Sequence, residues 1–131
     1  KPMGKDDFTK IPNGIPSIED RVTLLWTHGV KTGRLTPEQF VAVASTNAAK
    51  IFGLWPKKGV IQPGADADLV IWDADYRGTI SAKHQYQAVD YNAFEGMQLE
   101  GRPAVVTVRG EVAVRDGTFC GTVGRGRFLQ R

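Results

Sequence analysis

What most constrains this chain is a change of character across residues 46–73. Up to Phe52 the pattern is helical, and Ala48, Ala49, Lys50, Ile51 and Phe52 are acceptable helix formers. Gly53 supplies the left-handed residue that commonly ends a helix. Pro56, Gly59, Pro63 and Gly64 then forbid further helix and set turns. Beyond them Leu69, Val70, Ile71 and Trp72 lie between Asp68 and Asp73, a short apolar run with polar ends that predicts a strand. The chain is therefore helix and loop before the seam, strand and turn after it.

On the helical side, residues 1–16 are broken by Pro2, Gly4, Pro12, Gly14 and Pro16 and predict a loop, in which Asn13-Gly14 is a strong turn dipeptide. Ser17 is the expected N-cap of a first helix, with Asp20 at the capping-box position and Glu19 favouring the positive helix end. Ile18, Val22, Leu25, Trp26 and Gly29 recur at helical spacing and predict the buried face, with Gly29 or Gly33 ending the helix. Thr36-Pro37-Glu38-Gln39 carries a cap, a proline at the first helical position and a capping-box glutamine. It opens a second helix with Phe40, Val43 and Ala44 as its buried stripe. Ser45-Thr46 is expected to bend or recap the chain before residues 47–52.

On the strand side, 68–73 and 78–81 read as separate strands, and 82–103 lacks clean periodicity. Residues 104–109 and 112–115 predict a hairpin turning at Arg109-Gly110-Glu111. Asp116-Gly117 makes the next turn, and 118–123 adds a short edge.

Composition narrows the function classes. At 131 residues the chain is one domain's worth. No apolar run approaches the roughly 20 residues of a membrane span, so no membrane partner is expected. A net charge of +3 gives no argument for nucleic acid. Arg125, Arg127 and Arg131 read as a solvated tail. The single Cys120 excludes an internal disulfide and favours a reducing compartment, hence the cytoplasm.

The residues offer no catalytic constellation. His28 and His84 are isolated and Cys120 has no partner cysteine, so no metal-ligand spacing exists. Asp66-x-Asp68 and Asp73-x-Asp75 read as turn formers and polar strand ends. Gly124-x-Gly126 opens no phosphate-binding helix, and no nucleophile–base pair can be composed. The opening Lys1-Pro2-Met3-Gly4 does not read as a natural beginning, and the chain is expected to be a fragment.

Several segments nevertheless resemble a known family in order. Asn-Ala-Ala-Lys-Ile-Phe-Gly-Leu (47–54) followed by Pro-Gly-Ala-Asp-Ala-Asp-Leu-Val (63–70) resembles the exit from the barrel in metal-dependent amidohydrolases. Residues 7–21, Asp-Phe-Thr-Lys-Ile-Pro-Asn-Gly-Ile-Pro-Ser-Ile-Glu-Asp-Arg, narrow this to the dihydropyrimidinase and bacterial D-hydantoinase branch. Tyr-Asn-Ala-Phe-Glu-Gly (91–96) and residues 124–131 fit the same branch. The resemblance implies an α/β parent, a (β/α)8 barrel plus a β-sandwich, of which this chain is the C-terminal part, α+β as seen alone. Residues 1–55 would supply a loop and the last barrel helices, and 56–81 a linker and first sandwich strands. An irregular packing segment (82–103), a sandwich hairpin (104–123) and a basic tail (124–131) would follow.

The implied activity is opening of dihydropyrimidines or 5-substituted hydantoins to N-carbamoyl amino acids by metal-activated water. Two divalent ions, usually zinc, would be held by residues upstream of Lys1, so this chain alone contributes no metal ligand, no catalytic residue and no activity. Its expected share of the site is the backbone of Asn13, bonded to the cyclic imide, with Gly14 allowing close approach. The implied partners are the rest of the barrel, a small cyclic imide or ureide, and further copies in a homo-oligomer, a tetramer in the family. A non-catalytic dihydropyrimidinase-like assembly protein and another cyclic amidohydrolase such as an allantoinase remain the alternatives.

Overall fold

A computed structural model describes residues 4–11 and 13–130. Helices α1 (Arg21–Leu25), α2 (Pro37–Val41) and α3 (Asn47–Ile51) precede four strands, β1 (Val70–Thr79), β2 (Gln98–Val108), β3 (Glu111–Arg115) and β4 (Thr118–Phe119). The strands form one open antiparallel sheet in the order β1-β2-β3-β4.

The local signals of the sequence behave as their chemistry requires. The Thr36–Gln39 capping box forms in both directions, with Thr36 N–H donating to Gln39 Oε1 at 2.8 Å and Gln39 N–H to Thr36 Oγ1 at 3.2 Å. At the seam Gly53 takes φ +69°, Leu54 N–H reaches Ala49 O at 2.8 Å and Gly53 N–H reaches Lys50 O at 3.2 Å. That pair of bonds is the Schellman ending of a helix. Arg109-Gly110 and Asp116-Gly117 all have positive φ and join β2 to β3 and β3 to β4 as two-residue loops.

Other expectations are corrected. The first helix has no side-chain cap. Ser17 contributes its carbonyl, which accepts from Asp20 and Arg21 N–H, while the Asp20 and Glu19 carboxylates turn to residues 85–92. Of the two expected ends, the helix passes through Gly29 in a π-turn, Trp26–Val30, and closes at Gly33 (φ +74°), where Arg34 N–H reaches Gly29 O at 2.9 Å and Gly33 N–H reaches Val30 O at 3.0 Å. Ser45-Thr46 neither breaks nor recaps the second helix; a π-turn, Ala42–Thr46, carries α2 into α3. The segments 68–73 and 78–81 merge into the long β1, and β2 begins at Gln98, inside the stretch expected to be irregular. An Asx turn joins the halves of β1: Asp73 Oδ1 accepts from the N–H groups of Asp75 and Tyr76 at 3.1 Å, across a register shift.

Burial departs furthest from the periodicity. Ile18 is 83% exposed and Val43 54%, and Ala44 is exposed too, so of the second stripe only Phe40 is buried. The π-turn after α1 meets the sheet through a polar contact as well as an aromatic one. Thr27 Oγ1 accepts from Glu100 N–H at 3.0 Å and can donate to Thr23 O at 2.9 Å. The tightest aromatic packing joins Trp26, Phe40 and Trp72, with ring centroids 5.0–5.5 Å apart, so that the helices and β1 share one nucleus. Gly101 sits beneath it at φ +79°. Ile80, buried beyond the end of β1, extends the ladder by exchanging bonds with Met97 and Gly96. Among the described residues no helix is long and apolar enough to cross a membrane.

Candidate functional site

The Asn13-Gly14 turn lies between two braced segments. On its N-terminal side Asp7 caps the short 3-10 turn Phe8–Lys10, its Oδ1 accepting from Thr9 N–H at 3.1 Å and Thr9 Oγ1 at 2.6 Å. These bonds, the Thr9 hydroxyl's first, hold the Asp7 carboxyl below its ordinary value. On its C-terminal side, α1 begins at a polar knot. Asp20, 4% exposed, accepts from Gln85 Nε2 at 2.5 Å and Asn92 Nδ2 at 2.6 Å, and Glu19 accepts from the N–H groups of Tyr86 and Gln87 at 3.0 and 2.8 Å. Asn92 Oδ1 in turn accepts from Phe94 N–H at 2.7 Å. The knot ties residues 85–94 to the start of the first helix, and periodicity gave no sign of it because Gln85 and Asn92 follow no repeat.

Between these braces Asn13 and Gly14 are exposed. Gly14 has φ +82°, and a Cβ placed on it would meet nothing within 4 Å. The backbone at this point is thus in the region only glycine enters freely, and it faces open space. Pro12, the first residue of Pro-Asn-Gly, lies outside the described residues, as does Arg131.

The remaining ionisable candidates fall into structural roles. Asp66 and Asp68 converge on Lys58, whose Nζ lies 2.8 Å from Asp66 Oδ2 and also bonds Asp68 Oδ2. Asp68 Oδ1 accepts from Arg109 N–H at 2.7 Å, which locks the linker onto the β2–β3 turn. Burial works against the charge on Lys58, but hydrogen bonds to Asp66 and Asp68 outweigh it and raise its pKa. Burial likewise opposes charge on Asp68, and the bonds from Lys58 and Arg109 N–H overcome it, so its pKa is lowered.

His28 and His84 stand apart and are exposed, as is Cys120, whose Sγ donates to Thr118 O at 3.4 Å. No group of three or more His, Cys, Asp or Glu among the described residues could hold a metal ion.

Arg125 corrects the reading of a wholly solvated tail. Its guanidinium contacts Glu111 Oε2 at 2.7 Å and donates to Val108 O at 2.7 Å, while Arg109 donates back to Arg125 O at 2.7 Å. Arg127 is exposed as expected.

Comparison with known proteins gives consistent matches. The model of the amidohydrolase family matches residues 11–113. Over all 131 residues the chain is 54% identical to a dihydropyrimidinase of Rattus norvegicus, covering 25% of that protein. It is 56% identical to a D-hydantoinase of Geobacillus stearothermophilus, covering 28%. A solved D-hydantoinase (dihydropyrimidinase) from Thermus sp. superposes with a TM-score of 0.93 at 62% identity, over 98% of this chain and 28% of that one. The chain thus spans about a quarter of the length of the relatives it matches.

Proposed function

The chain belongs to the amidohydrolase family, and we propose that it is the C-terminal portion of a cyclic-amide hydrolase that opens dihydropyrimidines or 5-substituted hydantoins to N-carbamoyl amino acids. The observation that carries this is the 54–62% identity, along essentially the entire chain, to proteins named for those two activities. In this reading the helices belong to the outer layer of a (β/α)8 barrel (1–55), a linker and the first sandwich strand (56–81) lead out of it, and the remaining strands form part of a β-sandwich. The parent works as a cytoplasmic homo-oligomer.

The amidohydrolase superfamily is generally metal-dependent. The described residues do not fit a metal centre: the two histidines are on separate elements and no acidic or thiol group completes a set around either. The ions, two zincs by resemblance, are therefore assigned to residues outside this chain. What this chain supplies is positioning. A cyclic imide presents one N–H between two carbonyl oxygens in a plane, and the backbone of Asn13 offers a donor and an acceptor to match it. Gly14, at positive φ and without a Cβ, would let the backbone approach the substrate closely.

The test is the complete polypeptide containing these residues, supplied with divalent metal and assayed with hydantoin and dihydrouracil. Ring opening to the N-carbamoyl product supports the proposal. A protein that binds polypeptide partners and turns over neither ring would refute it in favour of an assembly protein. Gly14→Pro probes Asn13 directly, because proline is fixed near φ −65° and cannot take the observed +82°. KM should rise with a smaller change in kcat; unaltered KM and kcat would remove Asn13 from the site.

A further inference from the structure

The chain has three asparagines, and the structure treats one of them unlike the others. Asn92 is buried, both ends of its amide are engaged by Asp20, Gln85 and Phe94, and alanine follows it. Asn47 opens α3, also precedes alanine, and lies within a continuous helical backbone. Asn13 is exposed and precedes glycine, in a turn where Gly14 has φ +82° and nothing within 4 Å of a would-be side chain.

We propose that Asn13-Gly14 is a site of spontaneous deamidation, a chemical modification built into the candidate substrate-binding turn. The reacting groups are adjacent. The backbone nitrogen of Gly14 loses its proton to solvent and attacks Cγ of Asn13. A new N–Cγ bond forms, the Cγ–Nδ2 bond breaks, and ammonia leaves with a proton from water. The product is a five-membered succinimide. Water then opens that ring at one of its two carbonyls, giving aspartate if the new bond breaks, or isoaspartate if the original peptide bond does. The net change is amide plus water to carboxylate plus ammonium, with no oxidant, reductant or enzyme required.

Two features favour this site. A glycine on the C-terminal side leaves the attacking nitrogen unshielded, whereas the alanine methyl groups after Asn47 and Asn92 crowd it. The open surroundings of Gly14 also leave room for the backbone to swing into the ring. At Asn92 the opposite holds, because rotating its amide into attack would break bonds to a buried carboxylate.

The consequence rests on the reading of Asn13 given above. Isoaspartate inserts an extra methylene into the main chain at the residue whose backbone would meet the imide, and either product adds a negative charge there. The turn would thus limit the working life of the enzyme, with substrate affinity falling as the modification accumulates.

The experiment is ageing of the complete protein in mildly alkaline buffer at physiological temperature, sampled over weeks. Peptide mass spectrometry follows Asn13, Asn47 and Asn92, and enzymatic methylation detects isoaspartate. The peptide holding Asn13 should gain about one mass unit and become methylatable while the other two do not change, and Asn13→Gln should abolish the gain. An unchanged Asn13 peptide, or conversion of Asn47 or Asn92 at an equal rate, would overturn the proposal. KM measured on the same samples separates the two ideas. A rise in step with the mass gain supports both, and a mass gain at constant KM leaves the modification established and refutes the placement of Asn13 at the substrate.

Discussion

Replacing Gly101 by alanine should be among the most damaging single-methyl additions in this chain. Gly101 is buried within β2 at φ +79°, and an added Cβ would lie 2.6 Å from Trp26 Nε1 and 2.8 Å from Trp72 Nε1. Neither ring can withdraw freely, since Trp26 and Trp72 are in contact with each other and with Phe40 at centroid distances of 5.0–5.5 Å. Left-handed backbone costs a residue with a Cβ about 1–2 kcal/mol. Forcing a methyl into a packed site adds about 1–3 kcal/mol. The sum is about 2–5 kcal/mol, and with a urea slope near 2 kcal/mol per molar the unfolding midpoint should fall by about 1–2.5 M. Tryptophan fluorescence reads the transition, two of the three tryptophans being the perturbed residues. Gly110→Ala is the control. Its φ of +81° is almost the same, but the added Cβ meets only Ala67 Cβ, at 3.9 Å, so only the backbone penalty of about 1–2 kcal/mol applies. Equal losses in the two variants would refute the claim that the tryptophan pair, and not the turn geometry, makes Gly101 obligatory.

Asn92→Ala should destabilise the protein by about 1–3 kcal/mol, because it strips a donor from the buried Asp20 carboxylate. Limited proteolysis should then cut first within 85–92, and a cleavage pattern identical to the parent's would count against the knot. The Lys58–Asp68 pair predicts a pH window. Asp68, with its folded pKa lowered, contributes stability that is complete above its ordinary value of 3.8 and lost as pH falls through the folded value. Lys58, with its folded pKa raised, contributes stability that is complete below 10.5 and lost as pH rises through the folded value. The stability difference between the parent and Lys58→Met should therefore be flat between those limits and shrink outside them; a difference that varies steadily through neutral pH would contradict the assignment.

How far the sequence could be read depends on how local each signal is. The capping box at Thr36, the helix end at Gly53 and the Arg109-Gly110 turn each involve residues within about one turn of one another, so their chemistry closes without knowledge of the rest. β2 was hidden over 98–103 because Gly101 and Pro103 both argue against a strand. The structure places each at an irregularity: Gly101 between the paired residues Glu100 and Arg102, Pro103 opposite Trp72 beside a register shift. The candidate site divides in the same way. The turn at Asn13-Gly14 was legible from two residues, whereas the knot of Asp20, Gln85 and Asn92 joins positions 65 and 72 residues apart and leaves no trace in local pattern.

The exposed stripes carry the same logic further. Periodicity reports that a helix has an apolar face, not what meets it. Here residues 20–27 bury Asp20, Thr23 and Thr27 and leave Ile18, just before them, exposed. Leu24, Leu25, Leu35 and Val43 line an open apolar groove instead of a closed core. The run thus buries threonines on one side and leaves its leucines half-buried along an open groove on the other, an apolar side that the described residues do not close. That arrangement fits a helical run between two layers, held by the sheet through Thr27 and by the 85–94 segment through Asp20. In the proposed reading the leucine side faces the rest of the barrel, consistent with a chain that spans about a quarter of its relatives' length. Of the apolar pattern at 18–29, Gly29 is buried, Val22, Leu25 and Trp26 are half-buried and Ile18 is exposed, so the periodicity located an apolar face without saying how much of it the described residues cover.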